Sequence, residues 1–201
     1  MSYTTSTSPV DLEQMRAALR EASRCVPTPT AFCVGCVLVV PRPIDGSQES
    51  SPSESTSSGS TIVLATGYSR ELEGNTHAEA NALAKAHALS THELHTLINS
   101  SSTRTSSSET TPSVAELLQS ATVYTTLEPC SIRTSGLAPC ADALVAAGVR
   151  RVVIGVGEPK DFVICEGAER LVRAGIEVCW LAGLEKECLL AARRGHDGVD
   201  A

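Results

Sequence analysis

The sequence predicts an α/β fold: a five-stranded mixed sheet with helices on both faces and its last two strands parallel. Three observations carry this expectation. Continuous β-branched apolar runs such as "FCVGCVLVV" (32–40) and "RRVVIGV" (150–156) read as strands buried on both faces. From "ATVYTTL" (121–127) onward, strand-like and helix-like segments alternate, which implies right-handed crossovers and parallel pairing. The apolar residues are mostly Val, Leu, Ala and Ile, with only 3% aromatic, a composition suited to compact layers. At 201 residues the chain suffices for one domain with a proper core, so 1–201 is read as a single domain.

Each element has a local reason. Residues 1–8 read as a disordered polar tail of Ser and Thr. "SPVDLEQMRAALREASRC" then places Leu12, Met15, Leu19 and Ala22 at helical spacing, with Ser8 or Asp11 as candidate cap. The strand 32–40 is stopped by Pro41 and Pro43. In the stretch 44–60, eight of seventeen residues are Ser, too polar to offset the entropy of ordering, so it reads as a low-complexity hairpin tip. "TIVLATGYS" (61–69) returns antiparallel, and "THAEANALAKAHALSTHELH" (76–95) follows as one helix. Its expected inner stripe is Ala80, Leu83, Ala84 and His87 or Ala88. A second low-complexity insert spans 98–114, and long loops of this kind add little closure entropy. After "ATVYTTL" come helix "CADALVAAG", strand "RRVVIGV", helix "EGAERLVRAG", strand "IEVCWL" and a closing helix "LEKECLLAARRG".

Charge and cysteine content narrow the function classes. A net charge of −7 disfavours nucleic acid as a partner, because its binders display strong basic surfaces. A small phosphorylated ligand needs only one or two placed cations and stays open. No basic start followed by an apolar run marks a secretory signal, and no apolar run approaches the roughly 18–20 residues of a membrane span. A cytoplasmic protein with free thiols is therefore expected, and the eight cysteines are packing residues or metal ligands.

Two stretches carry the chemistry. "GNTHAEANAL" sets His77 and Glu79 at a helix start, and "YTTLEPCSIRTSGLAPC" sets Cys130 just past a strand and Cys140 at the next helix start. Ligands collect outside the carboxyl ends of such strands, where helix N-termini also point. One imidazole and two thiolates suit zinc, which in catalytic sites takes three protein ligands and keeps the fourth position for water. The helix N-terminus is expected to favour the thiolate of Cys140. Glu79, about 200° round a helix from His77, is placed to act on water rather than metal. Alone, His77 and Glu79 would read as an ordinary helix start with a favourable acidic residue. Joined to Pro129, Cys130 and Cys140 they read as a zinc site. Cys33 and Cys36 fall on opposite faces of a strand and read as structural. Cys25, Cys165, Cys179 and Cys188 read as small buried hydrophobes. His87, His92 and His95 read as exposed or core-satisfied residues, and His196 as a surface residue, with the lesser alternative that the C-terminal tail folds over the pocket mouth.

The pattern "HAE" followed by "PC" and a second Cys resembles the zinc-dependent cytidine deaminase superfamily. The nine residues between Cys130 and Cys140, with "TLEPCS" before them and "GVGEP" after, resemble the pyrimidine deaminases of riboflavin biosynthesis. "TAFCVG", "GYSRELEGNTHAEA", "CSIRTSG" and "GVGEPKDFV" look most like the fungal type; Ala31 stands where the bacterial type has Asn. The resemblance implies a three-layer cytidine-deaminase-like fold and hydrolytic deamination of 2,5-diamino-6-(ribitylamino)pyrimidinone 5′-phosphate. It implies Zn²⁺ on His77, Cys130 and Cys140, Glu79 as proton shuttle, and a homodimer. Arg133, in the inter-cysteine loop, is the candidate for the phosphate, since guanidinium suits bidentate phosphate contacts. Arg70 and Lys160 are weaker phosphate candidates, and Asn75 and Ser131 are candidates for contacts to the pyrimidine. The chain leaves no room for a reductase domain, so any reduction step is expected on another chain. Another small-molecule nucleobase, nucleoside or nucleotide deaminase is the alternative. A non-catalytic zinc-stabilised subunit is the further one, disfavoured by the presence of Glu79.

Overall fold

The structure is a computed structural model that describes residues 3–42, 61–100, 111–133, 136–158 and 165–196. In chain order the elements are β1 (Thr4–Ser6), α1 (Pro9–Ser23), β2 (Gly35–Pro41), β3 (Thr61–Tyr68), α2 (Ala78–His87), α3 (Thr91–Asn99) and α4 (Val114–Leu118). They continue as β4 (Thr122–Leu127), α5 (Cys140–Ala147), β5 (Arg151–Val156), α6 (Gly167–Arg173), β6 (Glu177–Leu181) and α7 (Glu185–Ala192).

The described strands form one mixed sheet in the order β1-β6-β5-β4-β2-β3. Strands β1, β6, β5 and β4 pair in parallel, while β2 runs antiparallel to both β4 and β3. The antiparallel first hairpin and the parallel final pair are as expected from the sequence. The sheet has six strands rather than five. The sixth comes from the segment expected to be a disordered tail: Thr4, Thr5 and Ser6 pair with Cys179, Trp180 and Leu181.

Period-two alternation sorts the strand residues between two helical layers. Cys36, Leu38 and Val40 pack with α2 through α6 on one face. Val37 and Val39, with Tyr124, Val153 and Leu181, pack against α1 and α7 on the other. The result is the expected three-layer arrangement.

Three local expectations are corrected. The helix read over 76–95 is two helices: Ser90 accepts from the Glu93 backbone N–H while the Glu93 carboxylate accepts from the Ser90 N–H, a reciprocal cap that starts α3. The buried face of α2 is Ala78, Ala82, Leu83 and Ala86, and Ala84 and His87 are exposed. Neither Ser8 nor Asp11 caps α1 through its side chain. Asp11 is instead buried, takes both guanidinium N–H groups of Arg151 at 2.9 and 3.0 Å, and accepts from Tyr124 Oη at 2.7 Å. The core of the first insert, 44–60, and most of the second, 101–110 of 98–114, lie outside the described residues. The second insert's ends are ordered into α3 and, through a Ser113–Glu116 cap, α4.

Two glycines set how closely the site-bearing helices approach the sheet. A Cβ on Gly67 would lie 2.2 Å from the Ala78 carbonyl oxygen, so α2 presses directly on β3. A Cβ on Gly167 would lie 1.7 Å from the Pro129 carbonyl oxygen, so the start of α6 abuts the segment leading to Cys130.

Candidate active site

The sequence places four chemically able side chains at chain turns, and the fold brings them together at the carboxyl end of β4. His77 is not on a helix; it is the residue just before α2, with extended backbone angles of −97° and 156°. That answers how a His and a Glu two positions apart converge. An extended residue followed by a helical turn does not impose the 200° separation of an ideal helix. Cys130 follows β4, and Cys140 opens α5.

The ligand atoms of His77, Cys130 and Cys140 all lie within 4.8 Å of one another. Tetrahedral zinc with Zn–S of about 2.3 Å and Zn–N of about 2.0–2.1 Å sets sulfur and nitrogen about 3.5 Å apart. His77 Nδ1 lies 3.5 Å from both Cys130 Sγ and Cys140 Sγ. The donor set and its spacing fit zinc, with Nδ1 as the imidazole donor.

The electrostatics match such a site. The Cys130 thiol is pulled down to about 4, first by its hydrogen bond with Cys140 and then, against the opposing effect of burial, by His77 and the Cys140 backbone N–H. The Cys140 thiol is pushed up, by the same hydrogen bond and by burial. The helix amide thus serves Cys130: Cys140 N–H donates to Cys130 Sγ at 3.3 Å. The helix N-terminus, expected from the sequence to favour the thiolate of Cys140, instead points its first amide at Cys130.

Glu79 is 4% exposed and its Oε1 accepts from Thr125 Oγ1 at 2.8 Å. Burial, and then the neighbouring Cys130, hold its carboxyl above the ordinary range. A carboxyl tuned upward is better matched to giving back a proton it has taken.

His77, Glu79 and Cys130 form part of the lining of a cavity of about 290 Å³, near the lower end of small-molecule sites. Asn75, Ser131 and Arg133 line it as well. Arg133 Nη2 donates to the Asn75 carbonyl at 2.8 Å, and its Nε is buried with no hydrogen-bond partner. Ser131 Oγ accepts from the Glu166 N–H at 3.0 Å. Lys160 lies outside the described residues.

Sequence reasoning gave too little weight to the opposite wall. Arg70, Phe32 and Glu158 line the cavity too. Arg70 has a left-handed backbone, φ 62°, in the turn between β3 and α2, and burial raises the Glu158 carboxyl. His196, read as a surface residue, stacks on Phe32. Cys36 is fully buried in the core, as its structural reading requires, and all eight cysteines are free.

The region described as the zinc-binding region of cytidine and deoxycytidylate deaminases matches residues 9–156. The chain belongs to this deaminase family. It is 36% identical to the diaminohydroxyphosphoribosylamino-pyrimidine deaminase of Schizosaccharomyces pombe over 184 residues, 92% of this chain and 35% of that protein. The riboflavin biosynthesis protein RibD of Escherichia coli is 49% identical over 63 residues, 31% of this chain and 17% of that one. The chain therefore spans about a third of the length of the first relative and matches a smaller share of the second. Among solved structures, the Rib2 deaminase of Aspergillus oryzae at pH 4.6 superposes with a TM-score of 0.69 at 30% identity, covering 95% of this chain and 94% of that one. The same deaminase in complex with DARIPP gives 0.65 at 26% identity, covering 93% and 92%. No helix among the described residues is long and apolar enough to cross a membrane.

Proposed function

We propose that this deaminase-family chain releases ammonia from a phosphorylated diaminopyrimidine of riboflavin biosynthesis, converting 2,5-diamino-6-(ribitylamino)pyrimidinone 5′-phosphate to 5-amino-6-(ribitylamino)uracil 5′-phosphate. The observation that carries the reading is the clustering of the His77, Cys130 and Cys140 donors, with His77, Cys130 and the buried Glu79 carboxyl lining one cavity. His77, Cys130 and Cys140 would hold zinc, which lowers the pKa of a water toward neutrality and so provides a nucleophile at pH 7. Glu79 takes one proton from the attacking water and places it on the ring nitrogen, then carries the second, from the oxygen once it has added, to the departing amine. Oxygen adds at the carbon bearing the 2-amino group, that C–N bond breaks, and ammonia leaves. Thr125 holds Glu79 in place. Arg133, with its Nε unpartnered, is assigned to the substrate phosphate, and Asn75 and Ser131 to polar contacts with the ring. The same reading takes 1–201 as a single deaminase domain, homodimeric and cytoplasmic.

The Schizosaccharomyces pombe relative, a diaminohydroxyphosphoribosylamino-pyrimidine deaminase, favours a second substrate, the phosphoribosylamino pyrimidine. Side-by-side ammonia release from the ribitylamino and ribosylamino phosphates decides between them. Faster release from the ribitylamino compound is expected. Inactivity on both, with activity on cytidine, overturns the proposal in favour of a nucleoside deaminase. Light scattering on the eluted protein tests the dimer.

A further inference from the structure

The two walls of the cavity are held by different parts of the chain. His77, Glu79 and Cys130 line one part of the cavity. Another part is Thr30, Ala31, Phe32 and Val34, from the connection between α1 and β2. That connection has almost no regular pairing of its own, only a bridge between Thr28 and Ala31. Two arginines and the segment after α7 hold it.

Arg194 donates from one guanidinium nitrogen to the Ala22 carbonyl at 2.8 Å and the Cys25 carbonyl at 3.0 Å. These carbonyls lie at and just past the end of α1; that of Ala22 also accepts from the Cys25 N–H at 3.2 Å. Arg70 does the same from the other side, to the Val26 carbonyl at 2.7 Å and the Phe32 carbonyl at 3.2 Å. The Cys33 N–H donates to the Ala192 carbonyl at 2.9 Å. Gly195, at φ 87°, passes so near Pro27 that a Cβ would lie 2.8 Å from it. Beyond it, the His196 ring lies flat on the Phe32 ring, with centroids 5.0 Å apart and planes at 4°. Residues 193–196 lie outside the family match.

We propose that Arg194 and His196 are positioning residues of the substrate pocket, fixing the Phe32 wall and thereby substrate affinity while leaving the metal wall alone. A rigid guanidinium fork reaching two carbonyls fixes the backbone path of the connection. A ring backed by a second ring has lost its rotamer freedom, so Phe32 presents one fixed surface to a planar substrate. Loss of that fixation weakens ground-state and transition-state binding alike, which raises KM without lowering kcat.

The inference rests on the proposed deaminase activity, and the test separates the two. In His196→Ala, KM for the diaminopyrimidine phosphate is expected to rise about fivefold, the size of one lost aromatic contact, with kcat and zinc content retained. His196→Phe keeps a ring on Phe32 and is expected to restore KM. Arg194→Ala is expected to raise KM at least as far. An unchanged KM in His196→Ala, or a His196→Phe variant as poor as the alanine, overturns the proposal. Should the wild-type chain release no ammonia from either pyrimidine phosphate, the functional reading fails and amide exchange decides this one. Faster exchange at Thr30 to Cys33 in His196→Ala but not in His196→Phe supports it, and equal exchange in all three proteins overturns it.

Discussion

Replacing Gly67 by Ala adds one methyl group, and the structure says where it must go. The new Cβ would stand 2.2 Å from the Ala78 carbonyl oxygen and 2.6 Å from the Ala82 backbone nitrogen. Both neighbours are helix backbone, which cannot rotate aside. To reach an ordinary contact, α2 must back away from β3 by about 1 Å. His77 and Glu79 ride on the start of that helix, so they move with it. Overpacking of this kind costs about 1–3 kcal/mol, or several degrees in Tm. The functional loss is expected at the upper end of the same range, since 100-fold in rate is about 2.7 kcal/mol. Metal–ligand distances tolerate only about 0.2 Å, and a 1 Å misplacement of reacting groups can cost about 100-fold in rate. The variant is expected to give up zinc to a competing chelator more readily than wild type and to lose about 100-fold in ammonia release. Gly67→Ala with wild-type zinc retention and turnover would refute the claim that close packing of α2 on β3 places the site.

Three further outcomes follow from the geometry. Asp11→Asn removes the bidentate partner of half-buried Arg151, leaving it Glu177 at 3.1 Å, and is expected to cost about 1.5–3 kcal/mol in chemical denaturation. The same network sets a pH dependence. Burial alone would raise the Asp11 carboxyl, but hydrogen bonds from Arg151, Ser6 and Tyr124 overcome it and hold it below its ordinary value. The ionic part of the stabilisation is therefore full above the unfolded value of about 3.9 and is lost as pH falls through the lower folded one. The gap in Tm between wild type and Asp11→Asn should stay constant above about pH 5 and narrow below about pH 4; a gap that widens in acid contradicts the sign. Arg133→Ala should raise KM for the phosphorylated pyrimidine about 10–100-fold and leave the dephosphorylated compound unaffected, and equal losses on both would remove Arg133 from the phosphate.

The metal donors were legible because each is tied to a local signal: His77 to a helix start, Cys130 to a strand end after Pro129, and Cys140 to the next helix start. Long-range partners left no such trace. Nothing near Asp11 in sequence points to Arg151, 140 residues away, so a buried ion-pair acceptor looked like a helix cap. The three residues of β1 owe their order to pairing with β6 rather than to any propensity of "YTTSTS". The break between α2 and α3 was readable, since Ser90 and Glu93 have the spacing of a reciprocal cap, but the surrounding Ala and Leu continued the helical period across it. The thiol chemistry turned on orientation: only the structure shows the Cys140 amide aimed at Cys130.

In the proposed mechanism Glu79 acts on water while His77, Cys130 and Cys140 hold the metal. The most direct test is ammonia release by Glu79→Gln, with zinc measured on the same sample. The account predicts zinc retained at about one per chain, with turnover lower by about 10²–10⁴-fold. Turnover near wild type in the zinc-loaded variant would contradict it.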